Sequence, residues 1–298
     1  MKIVYLGTSA AAPTPERSLT FICLVRENEV LMFDAGEGAQ VAYLKAGLPW
    51  NKKMKIFVTH LHGDHCLGIL GILQTMSLQK RTEGVEIYGP AGIEEFITAN
   101  IKVLNFGLPF PVFITIVKEG SVVKEKNYEI SCCEAQHGIP AYSYCFVENE
   151  RAGVFYPEKA KELGIPEGKL WQELQNGNSI NVDGRNIDSS QVTGEKRPGK
   201  KIGISGDTRP TEKLQNFFKN SDYLSFDCTF AYELKDRAIE TNHSTAKEAA
   251  ELAKNANVKN LILTHFSARY SDESVLVNEA KQTHESVIAA KDLLEIDI

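Results

Sequence analysis

The 298-residue sequence predicts an α/β fold of two packed sheets with helices outside, interrupted once by a polar arm. Three observations predict it. Apolar runs of strand length recur through both halves, several followed by stretches of helical period. Many of these runs are apolar on both sides, as in sheets covered on both faces. The β-then-α order resumes after residues 151–201, where the composition changes. The chain is therefore read as one domain, 1–298, carrying 151–201 as an inserted flexible arm.

Within the first 148 residues the strands are KIVYLG, FICLV, EVLMFD, KIFVTH, VEIYGP, YEISCCEA and YSYCFV, with helices over about 65–78 and 92–103. The arm is rich in Gly, Pro, Asn, Lys and Glu, and its spacing gives two short helices, PEKAKELG and GKLWQELQNG, rather than strands. Beyond it come the strand KKIGISGD, the helix TEKLQNFFKN and the strand DYLSFDCTF. The helix STAKEAAELAKNA has Ser244 or Thr245 near its N-cap. KNLILTH is a last strand, and a final helix is expected from Ser274 to Leu294, with His284 on its solvated face.

At 43% apolar and 24% charged, the composition is that of a soluble globular protein large enough to build a core without disulfides. Cys23, Cys66, Cys132, Cys133, Cys145 and Cys228 form no CxxC pair and read as reduced, buried thiols. With an N-terminus that looks like a strand rather than a signal peptide, they point to the cytoplasm. No run approaches the roughly 20 apolar residues of a membrane span, so no membrane partner is expected. The net charge of −6 excludes a protein that is basic throughout. A nucleic-acid ligand would need a local basic patch, or phosphate binding by metal and backbone.

FVTHLHGDHCLG, residues 57–68, sets His60, His62, Asp64 and His65 within six positions. In extended backbone, residues two apart share a face, so His60 and His62 can chelate one ion together. Asp64 and His65 open the following helix, turned toward a second ion. Other apolar strands end in His137, Asp207 and His265, at the carboxyl edge where sites in α/β proteins gather. The expected sets are His60, His62, His137 and Asp207, and Asp64, His65, His265 and the same Asp207 as a bridge. Mixed imidazole and carboxylate ligation suits two Zn²⁺ ions, with Mn²⁺ as the other choice. Such a pair makes a nucleophile at neutral pH and clamps both oxygens of an in-line displacement. His243 precedes a helix, where an imidazole could reach a phosphate. Asp34, in FDAGEG, reads as support for a ligand or as turn chemistry.

With these residues in place, the sequence resembles the metallo-β-lactamase superfamily and, within it, tRNase Z, the endonuclease family that removes 3′ trailers from tRNA precursors. The resemblance covers nearly the whole chain. It rests on LGTSAAAPTPERS, FDAGEGAQ, THLHGDHCLGILGILQTMSL, IYGPAGI, QHGIPAYSY, SGDTRP, NHST and THFSARY. It implies an αβ/βα sandwich with the metals at one edge, and the same seven ligands. It also implies that Asp64 positions or deprotonates the attacking water, and that His243 stabilises the transition state or protonates the leaving oxygen. Asp227 occupies the place of the acidic residue, often Glu, that supports this histidine. Homodimers in which one subunit's arm serves the other's site are common in the family.

The resemblance further implies that the arm grips precursor tRNA away from the metals. Its Gly- and Pro-rich turn corresponds here to Gly164, Pro166 and Gly168, with Lys169 where bacterial-type members have Pro. Residues 151–201 hold nine Lys/Arg against seven Asp/Glu, a balance of +2 in a chain of −6. Lys159, Lys161 and Lys169 are the candidate phosphate contacts there. Arg17, in the PTPERS loop, and Arg269, shortly after His265, are further substrate-contact candidates. Two other readings compete: a small-substrate metallo-phosphodiesterase or lactonase of the same fold, and a nucleic-acid-binding module with structural metals. A polar excursion of about fifty residues argues against the first, and an intact open ligand set against the second.

Overall fold

Phe33, Phe57 and Tyr88 fall opposite one another on three neighbouring parallel strands. Their rings stack at 5.1 and 5.0 Å. Tyr144, from a different sheet, packs against Phe33 and Phe57 at 6.0 and 5.5 Å. This aromatic layer is where two sheets meet. The structure, a computed structural model, describes residues 1–150 and 153–298.

Among the described residues each of the two large sheets has seven strands. The first runs Leu294–Asp297, Lys2–Gly7, Phe21–Val25, Glu29–Phe33, Lys53–Phe57, Val85–Gly89, Val112–Ile116. The second runs Val287–Ala289, Asn260–Thr264, Tyr223–Asp227, Lys201–Ile204, Tyr142–Glu148, Tyr128–Glu134, Gly120–Lys124. Between them the Tyr5 hydroxyl pairs with Ser225 Oγ at 2.5 Å, and the Tyr144 hydroxyl donates to the Val58 carbonyl at 2.9 Å. Buried hydroxyls need such partners, so these bonds also fix how the sheets stack.

Helices cover the outer faces. Gly68–Leu78 places Ile69, Ile72 and Leu73 on a core with Met32 and Ile56. Ala246–Asn255 buries Ala249, Ala250 and Ala253 against Phe226 and Leu263. Thr245 starts that helix with a capping box, its side chain and that of Glu248 each bonding the other's backbone.

Close approach of one helix to the site loops depends on a glycine. A Cβ at Gly68 would stand 1.9 Å from the Gly36 carbonyl oxygen and 2.7 Å from Ala39 Cβ. Gly68→Ala is expected to destabilise the fold by about 3 kcal/mol through this overpacking. Urea unfolding would show it as a lower midpoint at unchanged slope.

Residues 1–124, 130–146 and 201–298 form one compact unit; 125–129 and 147–200 form a second. The second unit coincides with most of the predicted arm, whose first residues, Arg151 and Ala152, lie outside the described residues. It has its own small core of Ala160, Ile165, Leu174, Ile180, Ile187 and Val192. The two predicted helices are present as Pro157–Glu162 and Lys169–Gln175. Contrary to expectation the unit also contains strands, the hairpin Ile180–Val182 and Arg185–Ile187. Asp183 and Gly184 turn it at φ 50° and 80°, the left-handed pair that matches strand twist.

Two further expectations fail. The last helix stops at Lys281 instead of Leu294. The remaining chain supplies a strand to each sheet, because Val287 and Ile288 are β-branched and Leu294–Asp297 can pair with Lys2–Tyr5. His284 is consequently buried, not solvated, with Nε2–H donated to the Val258 carbonyl at 2.9 Å. Strands Val112–Ile116 and Gly120–Lys124 were not foreseen.

Candidate metal centre

Four candidate ligands lie where a strand has just ended, whereas Asp64 and His65 sit in the short helix Gly63–Cys66 with His62 at its N-cap. Thr59 and His60 follow Lys53–Phe57, His137 follows Tyr128–Glu134, Asp207 follows Lys201–Ile204, and His265 follows Asn260–Thr264. The chain must turn sharply at these ends, and Asp34, Asn242 and His265 all have positive φ, at 58°, 58° and 61°. Left-handed backbone at non-glycine residues is costly and gathers at functional sites.

The structure brings seven side chains into two overlapping sets. Donor atoms of His60, His62, His137 and Asp207 lie within 4.8 Å of one another, as do those of Asp64, His65, His265 and Asp207. In the first set His62 Nδ1 is 3.0 Å from His60 Nε2 and 3.1 Å from His137 Nε2. In the second, His65 Nε2 and His265 Nε2 are 3.3 Å apart. Asp207 divides its oxygens between them. Oδ2 is 3.6 Å from His60 Nε2, and Oδ1 is 3.2 Å from both His65 Nε2 and His265 Nε2.

The outer nitrogens fix which atoms face inward. Asp34 Oδ2 accepts from the His65 Nδ1–H at 2.8 Å and from the Thr59 hydroxyl at 2.8 Å. Having donated its proton, Thr59 Oγ1 accepts from His60 Nδ1–H at 3.0 Å. The second sheet repeats the device. Asp227 Oδ1 accepts the Thr229 hydroxyl at 2.7 Å, and Thr229 Oγ1 accepts from His265 Nδ1–H at 2.9 Å. His137 Nδ1–H goes to the Asn242 carbonyl at 3.2 Å. His60, His65, His137 and His265 therefore all direct Nε2 into the cluster; aspartate–threonine relays set this for His60 and His265, and Asp34 sets it directly for His65. Thr59 and Thr229 were not singled out from the sequence; a threonine is chemically undistinctive, and only its place beside a strand-end histidine could have marked it.

The donor chemistry fits divalent metal. Imidazole lone pairs facing one another at 3.0–3.3 Å repel unless a proton or cation lies between them. Tetrahedral ligands at about 2.0–2.1 Å from an ion are themselves about 3.3 Å apart. With His65 and His265 as neutral ligands, the buried Asp207 Oδ1 has no hydrogen-bond partner, a costly state for an anionic oxygen unless a cation meets it.

Electrostatics divides the cluster. Burial opposes charge on His65, but Asp207 and Asp34 outweigh it and hold the imidazolium well above its ordinary range. Burial likewise opposes His265, which Asp207, Asp227 and Asp64 nonetheless push up to about 10. His60 goes the other way; burial first, then His65, push it down to about 2, so it is neutral. Burial works against the Asp207 carboxylate, yet His265 and His65 keep it well below its usual range.

Beside the cluster, His243 Nδ1–H is held by Asp227 Oδ2 at 2.9 Å, so the shorter carboxylate does reach it. Its ring stacks on His265 at 5.2 Å. Burial opposes its charge, but Asp227 and Asp207 raise it above its ordinary value. Arg209 donates to the His243 carbonyl at 2.5 Å while paired with Glu248, tying this loop to the capped helix.

The substrate-contact candidates are more scattered. Arg269 is exposed, with its guanidinium 5.0 Å from the Phe230 ring, itself 6.2 Å from His243. Arg17 is buried, and its guanidinium donates to the Tyr270 carbonyl at 2.8 Å and Glu273 at 3.0 Å. In the second unit Lys159 Nζ lies 4.7 Å from the Tyr156 ring centre, and Lys161 is 3.7 Å from Glu167. Lys169 is exposed at the start of its helix. Gly164 and Gly168 have positive φ, 70° and 119°, on either side of an exposed Pro166.

Comparison with known proteins separates the two halves of the site. A family model described as Anti-Pycsar protein Apyc1 matches residues 1–157, which include His60, His62, Asp64, His65 and His137. The metallo-β-lactamase fold protein YhfI from Bacillus subtilis superposes with a TM-score of 0.71 at 18% identity, over 99% of this chain and 98% of its own. Human tRNase Z, short form (ELAC1), superposes with a TM-score of 0.73 at 27% identity, over 100% and 99%. A Ribonuclease Z from Nitrosopumilus maritimus (strain SCM1) is 64% identical over 298 residues, covering both chains completely. Asp207, Asp227, His243 and His265 lie beyond the partial model but inside this full-length match, which therefore decides the classification: the chain belongs to the ribonuclease Z family, on a metallo-β-lactamase fold.

Proposed function

We propose that this chain removes 3′ trailers from precursor tRNA, cutting a phosphodiester to leave a tRNA 3′-hydroxyl and a trailer 5′-phosphate. The observation that carries the reading is the doubled donor set sharing Asp207, with His243 held by Asp227 beside it. Its full-length relative supplies the substrate class. His60, His62, His137 and Asp207 would hold one Zn²⁺, and Asp64, His65, His265 and Asp207 a second, with Mn²⁺ able to replace either. When bound, such a pair supplies a nucleophile at neutral pH and offsets charge on the transferred phosphoryl group. Asp64 orients the attacking water and takes its proton. His243, with Nδ1–H committed to Asp227, presents Nε2–H to the leaving 3′-oxygen and protonates it.

Because His65 and His265 are held protonated without metal, loading must displace those protons. Zinc added to metal-free protein at pH 7 is expected to acidify a weakly buffered solution, and its apparent affinity to rise with pH. Titration with a pH indicator dye checks this; uptake without proton release would mean these imidazoles are not the ligands.

The arm is the RNA grip in this reading, and affinity assembled across a homodimer would reconcile an acidic chain with tRNA. In support, Lys159, Lys161 and Lys169 are all exposed. The test compares wild type with a variant lacking 160–190, on a 3′-extended tRNA and on a chromogenic phosphodiester. Excision should weaken precursor binding roughly a hundredfold at moderate salt and flatten its salt dependence. Turnover of the small ester should stay within about threefold, since the arm has no part in the chemistry. Equal losses on both substrates would mean the deletion damages the fold instead. A wild type that hydrolyses the small ester but leaves precursor tRNA uncut would remove the RNA assignment and leave a small-substrate phosphodiesterase. No helix among the described residues is long and apolar enough to cross a membrane.

A further inference from the structure

Ala11 is exposed and adopts φ 57°, a left-handed conformation with no side-chain reason to exist. What the conformation achieves is a hydrogen bond: the Ala11 amide donates to Asp64 Oδ2 at 2.8 Å. That oxygen is the one turned toward His265 Nε2 and His65 Nε2, at 3.4 and 3.6 Å. A main-chain donor thus sets the rotamer of the carboxylate that belongs to the second donor set.

The loop carrying Ala11 is anchored on both sides to a remote part of the chain. At its base the Thr8 hydroxyl donates to Asp292 Oδ1 at 2.9 Å, and the Ser18 amide donates to Asp292 Oδ2 at 2.6 Å. The Thr8 and Ser9 amides close the neck on the Ser18 carbonyl at 3.0 and 2.9 Å. Arg17 then pins the loop to Tyr270 and Glu273, with its guanidinium 5.4 Å from the Phe266 ring centre. Ser9–Ala10 pairs in parallel with Phe266–Ser267, the residues directly after His265. Asp292 and Arg17 touch no candidate ligand, yet each secures one edge of the loop that does.

We propose that Asp292 and Arg17 are positioning residues for Asp64. By clamping residues 8–18 they hold the strained Ala11 peptide, and so aim Asp64 Oδ2 into the second donor set. The inference rests on reading that set as a metal centre, though not on the identity of the substrate.

The test uses the full chain with Asp292→Ala, Asp292→Asn and Arg17→Lys, and follows three readouts. Hydrogen exchange of the 8–18 segment in metal-free protein should quicken in D292A by at least about tenfold. Zinc transfer from the loaded protein to a chromophoric chelator should become roughly tenfold to a hundredfold faster, the usual scale for losing an outer partner of a metal ligand. On a small phosphodiester kcat should fall by a similar factor while KM stays within about twofold. D292N, which keeps one acceptor oxygen, and R17K, which keeps the charge but not the forked contact, should fall between D292A and wild type. They also stand in for D292A should it fail to fold. Lowered thermal stability with unchanged exchange, zinc transfer and kcat would overturn the proposal, leaving both residues as ordinary loop anchors. If wild type proves inert on precursor tRNA while these three readouts move together, the positioning role stands and the RNA assignment falls.

Discussion

Asp207→Ala should lower kcat/KM on any phosphodiester by roughly four orders of magnitude, about 5–6 kcal/mol of transition-state stabilisation. The reason lies in how the two oxygens are used. Oδ2 faces His60 and Oδ1 faces His65 and His265, so alanine removes a donor from both sets at once. Metal analysis after gel filtration should show the variant depleted relative to wild type. Removal also alters the metal-free protein in a way that checks the assignment independently. His265 is raised to about 10, so its contribution to stability is fully present below its ordinary value of 6.5 and is lost as pH rises through about 10. His65, also raised, adds in the same sense. Metal-free wild type should accordingly lose stability between about pH 6.5 and 10 on account of these groups. Without the Asp207 anion both imidazoles fall back, and that slope should flatten. Urea midpoints at pH 6 and pH 9 decide it; a variant that keeps metal and turns over within tenfold of wild type would show that Asp207 is not the bridge.

Much of this centre was readable in the sequence because its chemistry is local. His60, His62, Asp64 and His65 lie within six residues, and strand periodicity alone tells which pair shares a face. His137, Asp207 and His265 announce themselves as polar residues ending apolar runs. What escaped depends on long-range partners or on backbone. Asp292 meets Ser18 and Thr8 across 274 and 284 residues, and nothing near it in sequence hints at either. Ala11 acts through its amide, which no residue type encodes. Arg17 read as a substrate contact because its partner, Glu273, is 256 residues away. The edge strand Val112–Ile116 is as apolar and β-branched as the central strands, with Val112 and Ile114 on the core and Phe113 and Ile116 58% and 48% exposed, so its signal was present in VFITI and was overlooked. The last helix was over-extended for a different reason. Helical period can be traced through KQTHES, and it is cut short by the competing pairing of Val287–Ala289 with Leu261–Leu263 and of Leu294 with Tyr5. The same over-extension carried His284 to a surface it does not occupy.

Asp227→Asn should cost roughly a hundredfold to a thousandfold in kcat on precursor tRNA, with little change in KM. Asp227 holds His243 by charge and by the 2.9 Å bond to Nδ1, and together with Asp207 it overcomes the burial that would otherwise leave the ring neutral. In the proposed reaction the proton carried at Nε2 is the one delivered to the leaving 3′-oxygen. Activity that depends on it is present below the raised pKa of His243 and lost as pH climbs through it, so the wild-type profile should descend on the alkaline side. Asparagine withdraws the charge, burial then prevails, and that descending limb should move to lower pH. The carbonyl of Asn can still accept from Thr229, leaving His265 oriented and metal content near wild type. Its amide nitrogen would face the donors Thr208 N–H and His243 Nδ1–H, forcing the ring to the other neutral tautomer and orphaning Thr208 N. That should lower stability by about 1–3 kcal/mol. The choice of substrate separates proton delivery from general damage. A nitrophenolate leaves as a stable anion at neutral pH and gains little from an acid, whereas a ribose 3′-oxygen leaves only if protonated. The variant should therefore be nearly as fast as wild type on the chromogenic diester and crippled on tRNA. Equal losses on both, with the alkaline limb unmoved, would instead give His243 the role of holding the phosphoryl group through charge alone.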